Sequence, residues 1–224
     1  VLEDTLQFEA TTEDAGLPEN EVEWEEAESV DLGGWLSFDT REVGLRVAVS
    51  PVDLEGARAN FEAEHTGFSI DEDLAAARTD WTRILDAVRV WGGTEEERQI
   101  FATALYRSMV MPNLFSDVDG RYTGFDQQIH TSEFDWYTDF SLWDTYRTTP
   151  PLYTLLWPDR HRDLLRSFVP MVEQGGALPR WPLATWDGGF MVGVPAQIVI
   201  AEAVLKGIEG FDAQVLIDKA VEMA

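Results

Sequence analysis

After about residue 60 the apolar residues stop alternating and recur at steps of three and four, and this switch of period constrains the fold more than any other feature. Ser69-Ile70-Asp71-Glu72 matches a capping box, and Leu74, Ala77, Trp81, Ile84, Leu85 and Val88 then follow on one helical face. Val90-Trp91-Gly92-Gly93 stops that helix. A second capping box, Thr94-Glu95-Glu96-Glu97, opens a helix through Ile100, Phe101, Ala104, Leu105 and Val110 that ends before Pro112. Further helices are expected at about 139–149, 159–173, 195–208 and 212–223, separated by Pro and Gly signals or by Trp-rich loops. Successive helices with almost no strand between them point to a bundle or toroid.

Before the switch the pattern is different. Residues 1–30 carry 11 acidic side chains and no Lys or Arg, yet Glu21-Val22-Glu23-Trp24-Glu25 alternates like a half-buried strand. Trp35–Phe38 and Val43–Val49 are two more strand-like runs around the polar Asp39–Glu42, a hairpin pattern. The expected class is therefore mainly α with an N-terminal β portion. Residues 1–60 read as the C-terminal part of a β-domain, 61–93 as a helical linker, and 94–224 as the start of a helical domain. Both ends read as cut, since a few strands close no sandwich and the last helix runs into Ala224 without a stop signal.

Composition narrows the chemistry. With 45% hydrophobic and 26% charged residues, the 224-residue chain has globular proportions. Its net charge of −26, from 42 acidic against 16 basic residues, repels phosphate backbones and anionic lipid, so neither nucleic acid nor membrane is expected as a partner. No run approaches the ~20 apolar residues that span a bilayer, and VLEDTLQFEA lacks the layout of a signal peptide. The absence of Cys removes disulfides, thiol nucleophiles and thiolate zinc sites. No protein partner is inferred.

Two loops concentrate aromatics and carboxylates. In residues 112–147, Asp117-Val118-Asp119-Gly120 begins like a calcium loop, but the later ligands and closing Glu are missing at the required offsets, and a β-turn is the better reading. Trp143 and Asp144 stand side by side at a helix start, where a carboxylate can accept from sugar hydroxyls and an indole can cover the apolar face of a pyranose. The alternative is a core Trp beside an Asp favoured by the helix dipole. In residues 178–193, Arg180 offers a fixed donor while Trp181 and Trp186 offer stacking area, although one of these tryptophans can equally be packing. His65 and His161 read as lying in polar helix surroundings and His130 in a loop, with no metal-ligand spacing among them.

FATALYRSMVMPNLFSDVDGRYTG, FSLWDTYRT at 140–148 and GGALPRWPLATWDGGFMVG at 175–193 together resemble glycoside hydrolase family 92, the exo-acting α-mannosidases. SIDEDLAAARTDWTRILDAVRVWGGTEEE looks like the helical connector of that family, between an N-terminal β-sandwich and an (α/α)6 toroid, so the resemblance covers about 45–224. It implies inverting hydrolysis of terminal α-mannosyl residues of glycans, with a Ca2+ ion on the mannose hydroxyls and two carboxyl groups ~6.5–9.5 Å apart. It also implies a secreted or periplasmic protein whose signal has been removed. In the family the catalytic carboxylates and most calcium ligands lie further along than PRWPLA, so no catalytic residue or metal ligand is assigned in this chain. Carried over are Trp143 and Asp144 from LWDT, and Arg180 and Trp181 from PRWPLA, as mannose-binding residues. Thr185–Gly189 and Val194 depart from an Asn-containing stretch of the family, which leaves mannose–mannose and mannose–phosphate linkages both open. Two other readings stay open: a non-catalytic carbohydrate-binding or structural helical domain, and another (α/α)6 glycosidase.

Overall fold

The computed structural model describes residues 46–64 and 69–223, and the account below concerns the compact unit that begins at Ala48. The acidic β-structure expected over residues 1–30, the strand expected at Trp35–Phe38, and His65 lie outside the described residues.

The expected β portion does not extend to residue 60. Residues 46–53 carry no strand, and Leu54–Glu64 is helix α1. Asp53 starts that helix by accepting the Gly56 N–H at 2.7 Å. Helices α2 (Ile70–Leu85) and α3 (Glu95–Ser108) begin where the sequence signals lie. At α3 both halves of the capping box form, with Thr94 and Glu97 serving each other's backbone N–H. At α2 Ser69 Oγ accepts from Glu72 N at 3.3 Å.

The 109–141 segment is held by short antiparallel pairs, β1 (Asn113–Leu114) with β4 (Tyr137–Thr138), and β2 (Arg121–Thr123) with β3 (Ile129–Thr131). The single helix expected at 139–149 is instead a one-turn helix α4 (Leu142–Thr145) followed by α5 (Thr149–Leu156). The cause is Pro150-Pro151, whose missing N–H groups cannot bond back to residues 146 and 147 and so interrupt the ladder, while both prolines are tolerated in the first turn of a new helix. Next come α6 (Pro158–Gly175), the β5–β6 hairpin (Pro182–Leu183 with Trp186–Asp187), α7 (Pro195–Leu205) and α8 (Ala213–Glu222). Gly176, at φ 75°, ends α6 in the left-handed conformation that only glycine adopts without strain.

The core lies where α6 packs on α5, α8 and the 109–142 segment, and α7 packs on α5 and α8. Trp136, Leu165, Phe168, Ala203 and Leu216 are all at or below 1% exposure. Trp136 stacks on Tyr122 at 4.4 Å, and Phe140 meets Phe168 edge-on at 5.0 Å. This packing fixes the base of both aromatic loops.

Candidate functional site

Each loop is set by its own carboxylates. In the first, Asp117-Val118-Asp119-Gly120 forms the β-turn, with Gly120 N donating to Asp117 O at 2.8 Å. Asp117 is buried and accepts from Ser50 Oγ at 2.6 Å and Asn60 Nδ2 at 2.7 Å, which ties the start of the unit to this turn. Asp119 pairs with Arg121, whose guanidinium also reaches Asp53 at 2.7 Å. These contacts hold the Asp53 and Asp119 carboxyls below their usual range. Asp126 pairs with His130 on β3, in hydrogen-bond contact at 2.9 Å, which lowers its pKa too.

In the second loop Asp187 is the organiser. Its Oδ2 accepts the backbone N–H of Arg180 at 2.7 Å and of Trp181 at 3.1 Å, and its Oδ1 accepts Gly189 N at 2.8 Å. The Arg180 guanidinium donates to Met191 O at 3.1 Å. Trp181 is half-buried and Trp186 is 53% exposed, so both indoles keep surface available.

The two loops dock at the tip of the β5–β6 hairpin, where the Gln127 amide donates to Thr185 O at 3.0 Å and the adjacent Ala184 is held on both sides. Ala184 donates its N–H to Asp139 Oδ1 at 2.9 Å, and its carbonyl accepts from Thr138 Oγ1 at 2.8 Å. Asp139 Oδ2 takes the Asn113 amide at 2.6 Å. Three residues after Asp139 the chain enters α4, where Trp143 is 39% exposed and Asp144 is also exposed. The docking thus joins the segments that carry the Trp143–Asp144 and Arg180–Trp181 pairs. No hydrogen bond, ion pair or ring contact joins the side chains of one pair to the other among the described residues. The Asp144 carboxylate has no hydrogen-bond or ion-pair partner among them either.

A cavity of about 40 Å³ lies beneath α4, with Leu142, Tyr153, His161, Leu165 and Phe168 among its walls. None of Trp143, Asp144, Arg180 or Trp181 lines it. His161 is not in polar surroundings as the sequence suggests: it is 1% exposed, and burial lowers its pKa to about 4. Thr154 Oγ1 lies 2.7 Å from its Nδ1, and Nε2 is buried without a partner. The helical pattern alone cannot distinguish this inward histidine, because Arg160 and Arg162 flank it. Burial likewise raises the Tyr137 phenol to about 12.

Among the described residues no group of three or more His, Asp or Glu side chains is arranged to hold a metal ion. The carboxylates that resemble ligands in sequence are already satisfied by Ser50, Asn60 and Arg121. The described residues therefore do not fit the calcium ion expected from the resemblance.

A helical domain with two docked, aromatic interhelical loops is the class these observations define. The chain belongs to glycosyl hydrolase family 92, whose catalytic domain it matches over residues 56–224. No functionally curated protein matches it in sequence. Among solved structures it is similar to the family GH92 α-mannosidase BT3965 from Bacteroides thetaiotaomicron, at 30% identity and a TM-score of 0.70 over 74% of this chain and 22% of that one. That enzyme has also been solved with mannoimidazole. The GH92 inverting mannosidase BT2199 of the same organism aligns at 29% identity and a TM-score of 0.72, over 77% of this chain and 24% of that one. This chain thus spans under a quarter of the length of these relatives.

Proposed function

We propose that this chain supplies part of the mannose-binding wall of an exo-α-mannosidase, with Trp143, Asp144, Arg180 and Trp181 facing the sugar. The observation that carries the reading is how the loop carboxylates are used. Asp117, Asp119, Asp126, Asp139 and Asp187 each accept hydrogen bonds that hold a loop in shape, whereas the carboxylates of Glu133 and Asp144 accept none, and of these two only Asp144 stands next to an exposed indole. An exposed, unengaged carboxylate beside an exposed indole, on a short helix anchored by buried Leu142, is suited to a ligand with hydroxyls on one edge and C–H groups on one face. Membership of the family and the mannosidase neighbours support mannose as that ligand.

In this reading the chain binds and orients sugar and transfers no proton. The general acid and base of inverting hydrolysis, and the ligands of the calcium ion, come from residues other than those described, within an (α/α)6 toroid packed beside a β-sandwich. A glycan substrate outside the cytoplasm fits a secreted or periplasmic protein.

The test is kinetic. In the protein carrying this chain, Asp144→Asn should lower kcat/KM on an aryl α-mannoside roughly tenfold to a hundredfold, the loss expected for one charge-assisted hydrogen bond in a closed site. Its melting temperature should stay unchanged. A lower melting temperature with unchanged kcat/KM would assign Asp144 to helix capping instead, and turnover of aryl α-glucosides in place of mannosides would favour another toroidal glycosidase.

A further inference from the structure

The docking of Ala184 on Thr138 and Asp139 is built against a conformational cost. Ala184 has φ 48°, in the left-handed region that a residue with a Cβ enters only at a conformational cost. Asp139 itself sits at φ 61°. Two adjacent side chains take both polar groups of Ala184, one accepting its N–H and the other donating to its carbonyl. Asn113, on the strand paired with β4, engages the second oxygen of Asp139 by donating its amide at 2.6 Å. The carboxylate is thus aimed from both sides.

From this geometry we propose that Asp139 is a positioning residue for sugar binding: its carboxylate clamps the tip of the β5–β6 hairpin and so sets Arg180 and Trp181 against Trp143 and Asp144. The clamp lies between the pairs it relates, with Ala184 three residues after Trp181 and Asp139 four residues before Trp143. Asp187 shapes the second loop internally, through Arg180, Trp181 and Gly189, but reaches nothing on the first. Register between the loops is therefore held at Ala184 by Asp139, with Thr138 on the same residue from its other side, and at the neighbouring Thr185 by the exposed Gln127 amide, which donates to its carbonyl at 3.0 Å; of these contacts only the Asp139 carboxylate is itself held in place by a further side chain, Asn113. The functional half of this inference rests on the mannose-wall reading; the clamp itself does not.

Two readouts separate them in the protein carrying this chain. Asp139→Ala should raise amide hydrogen exchange across residues 180–189 and lower kcat/KM on an aryl α-mannoside at least tenfold, mainly through KM. Asp139→Asn keeps an oxygen for Ala184 N and can donate its amide to Asn113 after that side chain flips, so it should restore both readouts to within about threefold of wild type. Should Asp139→Ala not fold, Asn113→Ala removes only the supporting contact and should shift both readouts in the same direction by less. Unchanged exchange overturns the clamp. Faster exchange with unchanged KM overturns the positioning role. If the wild type turns over no α-mannoside, the activity reading fails by itself, and exchange at residues 180–189 still decides the clamp.

Discussion

Gly56 shows how little room the network around Asp117 leaves. A Cβ there would lie 2.2 Å from Asp117 Oδ2 and 2.6 Å from Ser50 Oγ, so either the carboxylate or the helix must move. Gly56→Ala should therefore cost roughly 1–3 kcal/mol, read as a lower melting temperature, even though alanine favours helix elsewhere. His161 makes a second prediction, in pH. Its pKa falls from 6.5 to about 4 on folding, so the unfolded chain binds the proton more readily. The stability this contributes is complete above pH 6.5 and is lost as pH drops towards 4, for a total of roughly 3 kcal/mol. Denaturant titrations at pH 4.5 and 7.5 should show a larger difference for wild type than for His161→Leu; equal differences would mean that the histidine is not held neutral.

At the scale of elements, legibility in the sequence followed the range of the forces involved. The starts of α2 and α3 were readable because an N-cap contact joins residues three apart, although the full box forms only at α3 and α2 has the Ser69 half alone; Thr94→Ala should lower the melting temperature by an amount equivalent to roughly 0.5–2 kcal/mol. The β-turn at Asp117–Gly120 was readable for the same reason. Helix α5 was missed because its first-turn prolines read as a break, although proline is tolerated there and the Tyr153 it carries is 1% exposed. The strand pattern over Val43–Val49 gave no strand in its described part, and α1 follows within a few residues. In the loops the aromatic and charged candidates were visible by type, but the residues that hold those loops were not. Asp139 and Ala184 are 45 positions apart, and nothing local marks their contact. Asp187 was missed as well, although an Asp before two glycines is the pattern of a side chain turning back on its own backbone.

For the whole molecule, charge and loop architecture set the expectations. A net charge of −26 on 224 residues repels itself in the compact state, so added salt should raise the melting temperature at low ionic strength; a fall between 10 and 150 mM salt would contradict that. No helix among the described residues is long and apolar enough to cross a membrane. The described fold uses most of its loop carboxylates to hold each loop in shape and one, Asp139, to join the two, and leaves Asp144 beside an exposed indole for a ligand. The most direct test is a crystal structure of the protein carrying this chain with mannoimidazole bound. The account predicts an Asp144 carboxylate oxygen at hydrogen-bond distance, ~2.7 Å, from a ring hydroxyl, with the indole of Trp143 or Trp181 against the sugar ring. An inhibitor bound with none of Trp143, Asp144, Arg180 and Trp181 in contact would contradict it.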